Sequence, residues 1–139
     1  MAKVVACAAC GTKNRVPAVA KGSPGCASCK AKLPWLVDAR DADFDDVIDT
    51  GQLVVVDLWA PWCGPCRMIS PVLEQLSVEF AGRVKVVKVN VDENPAVSTR
   101  YAVQSIPLVK LLRGGREVDT LLGAQPPQAY RQRIEAALG

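Results

Sequence analysis

All six cysteines of this 139-residue sequence fall in three Cys-x-x-Cys pairs, Cys7/Cys10, Cys26/Cys29 and Cys63/Cys66. In a reducing compartment such pairs do metal or redox chemistry and seldom serve as structural staples. Histidine is absent, which removes Cys-His and Ser-His catalysis, mixed Cys/His zinc sites and histidine-ligated haem together. What remains is thiol chemistry, supported by whatever carboxylates and lysines the fold brings near.

The third pair, Cys63-Gly64-Pro65-Cys66, stands where an apolar run at 53–59 gives way to helical spacing. Cys63 is therefore expected at a helix N-terminus, with Cys66 one turn inside. Free N–H groups and the positive end of the helix dipole stabilise a thiolate at Cys63, lowering its pKa from about 8.5 toward neutrality. A thiolate of that kind is ionised yet still nucleophilic, so Cys63 attacks a disulfide and Cys66, shielded from solvent, resolves the mixed disulfide. Pro65 suits a first helical turn. The alternative is half of a metal site, but residues 35–139 hold no further cysteine to complete one.

Asp57 is the one charge in Leu53-Val54-Val55-Val56-Asp57-Leu58-Trp59. Burying it ionised is costly unless it is paired, so its carboxyl is expected to titrate high. It precedes Cys63 by six residues and is a candidate to take the Cys66 proton and return it. Lys88, alternating with Val87 and Val89, is the candidate partner that tunes it. The plainer reading makes Asp57 a surface carboxylate at a strand end. Cys63, Cys66, Asp57 and Lys88 form the candidate catalytic set.

Cys7/Cys10 and Cys26/Cys29 are separated by 15 residues, the spacing of a four-cysteine zinc ribbon. Four thiolates around zinc carry a formal charge of −2, which the lysine-rich surroundings balance. A segment this short needs a metal to fold, and structural zinc binding is typically worth about 10–16 kcal/mol. A second redox dithiol pair is the competing reading.

The elements that position these groups follow from pattern. Residues 1–33 have little periodicity and much turn chemistry, Ser23-Pro24-Gly25 included, and form a candidate zinc module. From 35 to 139 strands and helices alternate, predicting an α/β domain with a mixed central sheet. Strands are expected at 36–39, 53–59, 84–91, 108–112 and 118–122, the last two joined at Gly114-Gly115. Helices are expected at 42–49 with Asp41 as cap, at 64–80 with a kink at Pro71, at 95–101 and at 126–138.

Charge divides the chain at the same place: residues 1–34 hold six basic residues and no acid, within a net charge of +3. That basic segment has no arginine-rich run and no aromatic residue on which a base could stack, which argues against nucleic acid. No apolar run nears the roughly 20 residues that span a bilayer, and the opening residues are too short for a signal peptide, so a cytoplasmic monomer is expected.

Val56-Asp57-Leu58-Trp59-Ala60-Pro61-Trp62-Cys63-Gly64-Pro65-Cys66, Lys88-Val89-Asn90-Val91-Asp92 and Ser105-Ile106-Pro107 resemble the thioredoxin family across essentially all of 35–139. The resemblance implies a thioredoxin fold, a redox-active Cys63–Cys66 disulfide, and reduction of protein disulfides. It also implies that Pro107 is cis and that Ile106 offers its backbone to an extended client; read from the residues alone, Pro107 is equally an ordinary trans turn. Gly123-Ala124 resembles the last loop of the substrate groove, so Trp62, Gly64, Pro65, Ile106, Pro107, Gly123 and Ala124 form the candidate docking surface. Residues 7–33 are similar to the extension of the zinc-bearing thioredoxin 2 type. An NADPH-dependent thioredoxin reductase and disulfide-containing clients are the implied partners. Leu108, where threonine is usual, and Lys110, where the strand is normally apolar, depart from the pattern; Lys110 is expected to snorkel to an edge. The functional rival is a zinc-dependent client-binding or holdase module on a thioredoxin scaffold.

Overall fold

The computed structural model describes residues 3–139, so Met1 and Ala2 of the predicted 1–33 module lie outside it. Two short strands, β1 (Lys3–Ala6) and β2 (Lys13–Val16), pair antiparallel at the start. There follow β3 (Trp35–Asp38), α1 (Phe44–Ile48), β4 (Leu53–Trp59), α2 (Gly64–Glu79), β5 (Val84–Asn90), α3 (Pro95–Arg100), β6 (Leu108–Arg113), β7 (Arg116–Leu122) and α4 (Pro127–Leu138). The main sheet has the order β3-β5-β4-β6-β7. Its first three strands are parallel, β6 runs antiparallel to β4, and β7 antiparallel to β6. This is the predicted thioredoxin fold, a mixed sheet with helices on both faces.

β4 is central because both faces of it are apolar. Val54, Val56 and Leu58 point into one cluster with Val37, Phe44, Val47, Val87 and Val89; Leu53 and Val55 point into the other with Ile69, Leu73 and Leu76 of α2 and Tyr130 and Ile134 of α4. The alternation of a strand puts Asp57 on the second face, under α2. Gly114 and Gly115 turn β6 into β7 with φ of 60° and 79°, the left-handed pair that a two-residue hairpin requires.

Most of these expectations hold, and one needs correction. Residues 3–33 are turn-rich as expected, and they also contain the β1–β2 hairpin, whose alternation is too short to stand out. Cys7, Val16, Ala18, Cys26 and Leu33 bury in the same cluster as Val37 and Val54, so this segment completes one face of the main sheet. Asp41 does not cap its own helix, which is N-capped by Asp43. Its carboxylate accepts the N–H groups of Ala96 and Val97 at the start of α3, at 3.0 and 2.9 Å. Lys110 reaches the sheet edge, as expected, by extending along β7, the edge strand, where its ammonium donates to Glu117 at 2.6 Å and Thr120 at 3.1 Å. α2 runs through Pro71 to Glu79, as its spacing predicts.

Candidate active site and four-cysteine cluster

Cys63 is the N-cap of α2, in extended backbone, and its sulfur accepts the Cys66 N–H at 3.1 Å. A helix entered from a buried strand leaves its first N–H groups without intrahelical partners, and this one is turned on sulfur. Such a contact favours thiolate over thiol. The two cysteines form a disulfide with Cα atoms 5.3 Å apart. Both residues are 3% exposed, so in the oxidised form burial does not separate them as the sequence suggested. What distinguishes the Cys63 sulfur is its place at the helix end, where it accepts the Cys66 N–H. Pro61, Trp62, Gly64 and Pro65 around the ring are exposed. Trp62, 69% exposed, is held by its indole N–H on Asp92 at 2.9 Å.

Asp57 is 1% exposed, and neither carboxylate oxygen has a hydrogen-bond partner among the described residues. Burial pushes its pKa up to about 6, against the opposing charge of Lys88. Lys88 is its register partner on β5, and the ammonium stands 3.8 Å from Oδ2, an ion pair beyond hydrogen-bond length. Lys88 gives its hydrogen bond to Ser70 of α2 instead, at 2.7 Å.

The Ile106–Pro107 peptide is cis, as the resemblance implies. Ile106 and Trp62 line a common groove of about 360 Å³ with Val91, Val103 and Gln104. Gly123, at φ 76°, donates its N–H to the Pro107 carbonyl at 2.9 Å, which ties the last loop to this turn. Tyr130 fixes the loop from beneath: its hydroxyl donates to Gly123 and accepts the Gln125 N–H. Ala124 is exposed beside it.

The four remaining cysteines converge, with all their sulfurs within 4.8 Å of one another. Cys7 and Cys29 lie 3.6 Å apart, as do Cys10 and Cys26. Tetrahedral zinc with Zn–S near 2.3 Å needs sulfurs roughly 3.8 Å apart. The donor set and its spacing therefore fit. The two knuckles are equivalent: Gly11 donates to the Cys7 carbonyl and Lys30 to the Cys26 carbonyl. Gly11 and Lys30 both adopt positive φ, 78° and 67°, and at Lys30 a side chain occupies a conformation that glycine takes freely. Cys26 is held down at about 6, chiefly by the Cys29 N–H. Asn14 bridges the halves, accepting the Ala27 N–H and donating to the Cys26 sulfur.

The thioredoxin family model matches residues 35–136. The chain belongs to the thioredoxin family. It is 46% identical over 99 residues to thioredoxin 1 of Nostoc sp. (strain PCC 7120), covering 70% of this chain and 92% of that one. With the thioredoxin of Staphylococcus aureus it shares 44% over 103 residues, 74% of this chain and 98% of the other. With that of Haemophilus influenzae it shares 51% over 88 residues, 63% and 82% respectively. Thioredoxins are thiol-disulfide oxidoreductases that reduce protein disulfides, and this chain is one. No helix among the described residues is long and apolar enough to cross a membrane.

Within the thioredoxin site, sequence reasoning missed Ser70, Asp92 and Tyr130. Ser70 was within reach, since it follows Cys66 by four residues on α2 and so shares its face. Asp92 stood in a motif already read, but nothing local links it to an indole 30 residues earlier. The four-cysteine cluster lies before the matched 35–136 region.

Proposed function

We propose that this thioredoxin reduces disulfides of cytoplasmic proteins through Cys63 as nucleophile and Cys66 as resolving thiol. The Cys63 thiolate attacks one sulfur of a client disulfide, whose bond breaks and releases the other sulfur as a thiolate. Cys66 then loses its proton to Asp57 and attacks the Cys63 sulfur, displacing the client as a second thiol. Two electrons pass to the client and the Cys63–Cys66 disulfide forms. An NADPH-dependent thioredoxin reductase returns the two electrons. Lys88 sets the charge felt by Asp57. Trp62, Gly64, Pro65, Ile106, Pro107, Gly123 and Ala124 dock an extended client strand.

The observation that carries this reading is the Cys66 N–H on the Cys63 sulfur at the head of α2. Insulin reduction with dithiothreitol as electron source tests it. Turnover, together with a potential near about −270 mV, the figure usual for thioredoxin, is the expected result. A soluble chain that leaves insulin intact is the client-binding scaffold instead. Cys66→Ser is expected to hold clients as mixed disulfides on Cys63.

Residues 1–33 form, in this reading, a structural zinc module, which makes the chain a thioredoxin of the zinc-bearing type 2. Cys7, Cys10, Cys26 and Cys29 would hold the ion, whose role is to organise the segment without taking part in exchange. Their convergence supports the assignment. The chain is read as a monomer, with residues 35–139 as its catalytic domain.

A further inference from the structure

Lys88 has three N–H donors, and its surroundings are unusual in how they use them. The ammonium bonds to the Ser70 hydroxyl at 2.7 Å, while the carboxylate at 3.8 Å goes without. It also lies over the Trp59 ring, 5.3 Å from its centre. Both oxygens of Asp57 are buried with no hydrogen-bond donor among the described residues. A charge-assisted bond to a carboxylate is stronger than one to a hydroxyl, so the ammonium would take Asp57 if nothing else held it.

We propose that Ser70 is a positioning residue of the reductase: by accepting one N–H of Lys88 from α2, it anchors the ammonium 3.8 Å from Asp57, beyond hydrogen-bond length, so that the carboxylate feels the charge but receives no donor. The inference rests on the assigned role of Asp57 in proton transfer. Its physical content is independent of that role. A carboxylate that gains a charged donor prefers to stay ionised, and one that only faces the charge at a distance, in apolar surroundings, keeps its proton to higher pH. A proton acceptor that must also return the proton needs the second condition.

Among the described residues, the groups facing Asp57 can be named. β6 presents Val109 as its register partner, β5 presents Lys88, and from α4 the Tyr130 phenol feels its charge. On the far side of Lys88, β3 places Asp38 in register, its carboxylate 3.0 Å from the Lys3 ammonium. Arg40 and Glu93 share with Lys88 an opening of about 260 Å³ that also reaches Trp59. Without the Ser70 hydroxyl, Lys88 has two directions to take: inward to Asp57, or outward to that opening and Asp38.

The experiment is a carbon-13 titration of the Asp57 carboxyl in the full-length oxidised protein, in wild type, Ser70→Ala, Ser70→Thr and Lys88→Met. Ser70→Ala is expected to lower the Asp57 midpoint by about one pH unit, the small end of what an opposite charge brought into contact produces. Ser70→Thr keeps a hydroxyl and is expected to restore the wild-type midpoint. In the Lys88→Met background, Ser70→Ala is expected to produce no shift, because the ammonium it positions is gone. An unchanged or raised midpoint in Ser70→Ala overturns the proposal, the latter showing that Lys88 turns outward. A merely structural role for Ser70 would lower the melting temperature and leave the midpoint where it was. Failure of the wild type to reduce insulin would overturn the functional reading, whereas the titration would still decide the position of Lys88.

Discussion

The ammonium of Lys85 donates to the carbonyl of Ala18, 2.6 Å away, and so binds β5 to the N-terminal segment through a side chain with no solvent exposure. A second bond reaches Val47 of α1 at 2.5 Å, and the charge lies 4.1 Å from the centre of the Trp35 ring. The Trp35 indole in turn donates to Pro17 at 2.9 Å. Burial lowers the Lys85 pKa to about 8. These contacts join residues 17 and 18 to β3, β5 and α1 in one buried polar knot.

Lys85→Met is expected to destabilise the chain by about 1–3 kcal/mol at pH 7, because it leaves two buried carbonyls without donors while removing the burden of a buried charge. The gap should widen with pH. A lysine whose folded pKa lies below its unfolded one releases its proton first in the native state. Its contribution to stability is therefore complete above about 10.5 and is lost as pH falls through about 8. Urea unfolding of both proteins at pH 7 and 9.5 reads this, and a gap that stays constant would show that Lys85 does not titrate in the fold.

The four-cysteine segment shares its apolar cluster with the main sheet, Cys26 and Leu33 lying among Trp35, Val37 and Val87. Loss of metal should therefore be felt beyond the segment. On the proposed zinc reading, the wild type is expected to carry one zinc per chain and Cys26→Ser to lose it, to lower the melting temperature of the whole protein in a single transition, and to shift buried Trp35 fluorescence to the red. Atomic emission and thermal unfolding followed by fluorescence check it. Full metal content in the variant, or an unaltered main transition after metal loss, would remove either the site or its coupling.

Legibility in the sequence followed the range of the interactions. The dithiol at a helix end was readable because strand, turn and helix signals are adjacent, and Asp57 because its apolar neighbours are consecutive. The cysteine cluster was readable from spacing alone. Lys85 was not, since a lysine in a strand reads as solvent-facing and its partners are main-chain carbonyls, which every residue possesses. The capping of α3 by Asp41 was hidden for a related reason: the acceptor and its donors are 55 and 56 residues apart. Lys110 lay between these cases: the Gly114-Gly115 turn was readable, but counted back from it alone Lys110 would oppose Asp119, and the irregularity between Leu111 and Leu112 moves its partner to Thr120.

Asp92 orients Trp62 at the rim of the groove, through a bond between two largely solvent-facing groups. Asp92→Ala frees an indole that a client would otherwise meet already placed. Ordering it on binding should raise KM for insulin about threefold with little change in kcat, the signature of lost ground-state and transition-state binding in equal measure. A fall in kcat at constant KM would mean that Trp62 acts on the exchange step itself.

Asp57 offers the sharpest separation of stability from activity. Its folded pKa of about 6 lies above the ordinary 3.8, so the native state holds the proton more tightly than the unfolded chain does. The stability this group contributes is complete below about pH 4 and is lost as pH rises through about 6, where a buried carboxylate must ionise without a donor. Two units correspond to roughly 3 kcal/mol. Asp57→Asn keeps the shape and removes the ionisation, so it should be more stable than wild type at pH 7.5, by up to about 3 kcal/mol less whatever the unpartnered amide loses. The difference should vanish near pH 4. Exchange should slow in the same variant, because Cys66 no longer has a base and its mixed disulfides resolve late. Denaturation across this pH range, beside stopped-flow resolution of a preformed mixed disulfide, tests both halves. A variant less stable than wild type at pH 7.5 would mean that the Lys88 pair outweighs desolvation, and unchanged resolution would take the proton-transfer role away from Asp57.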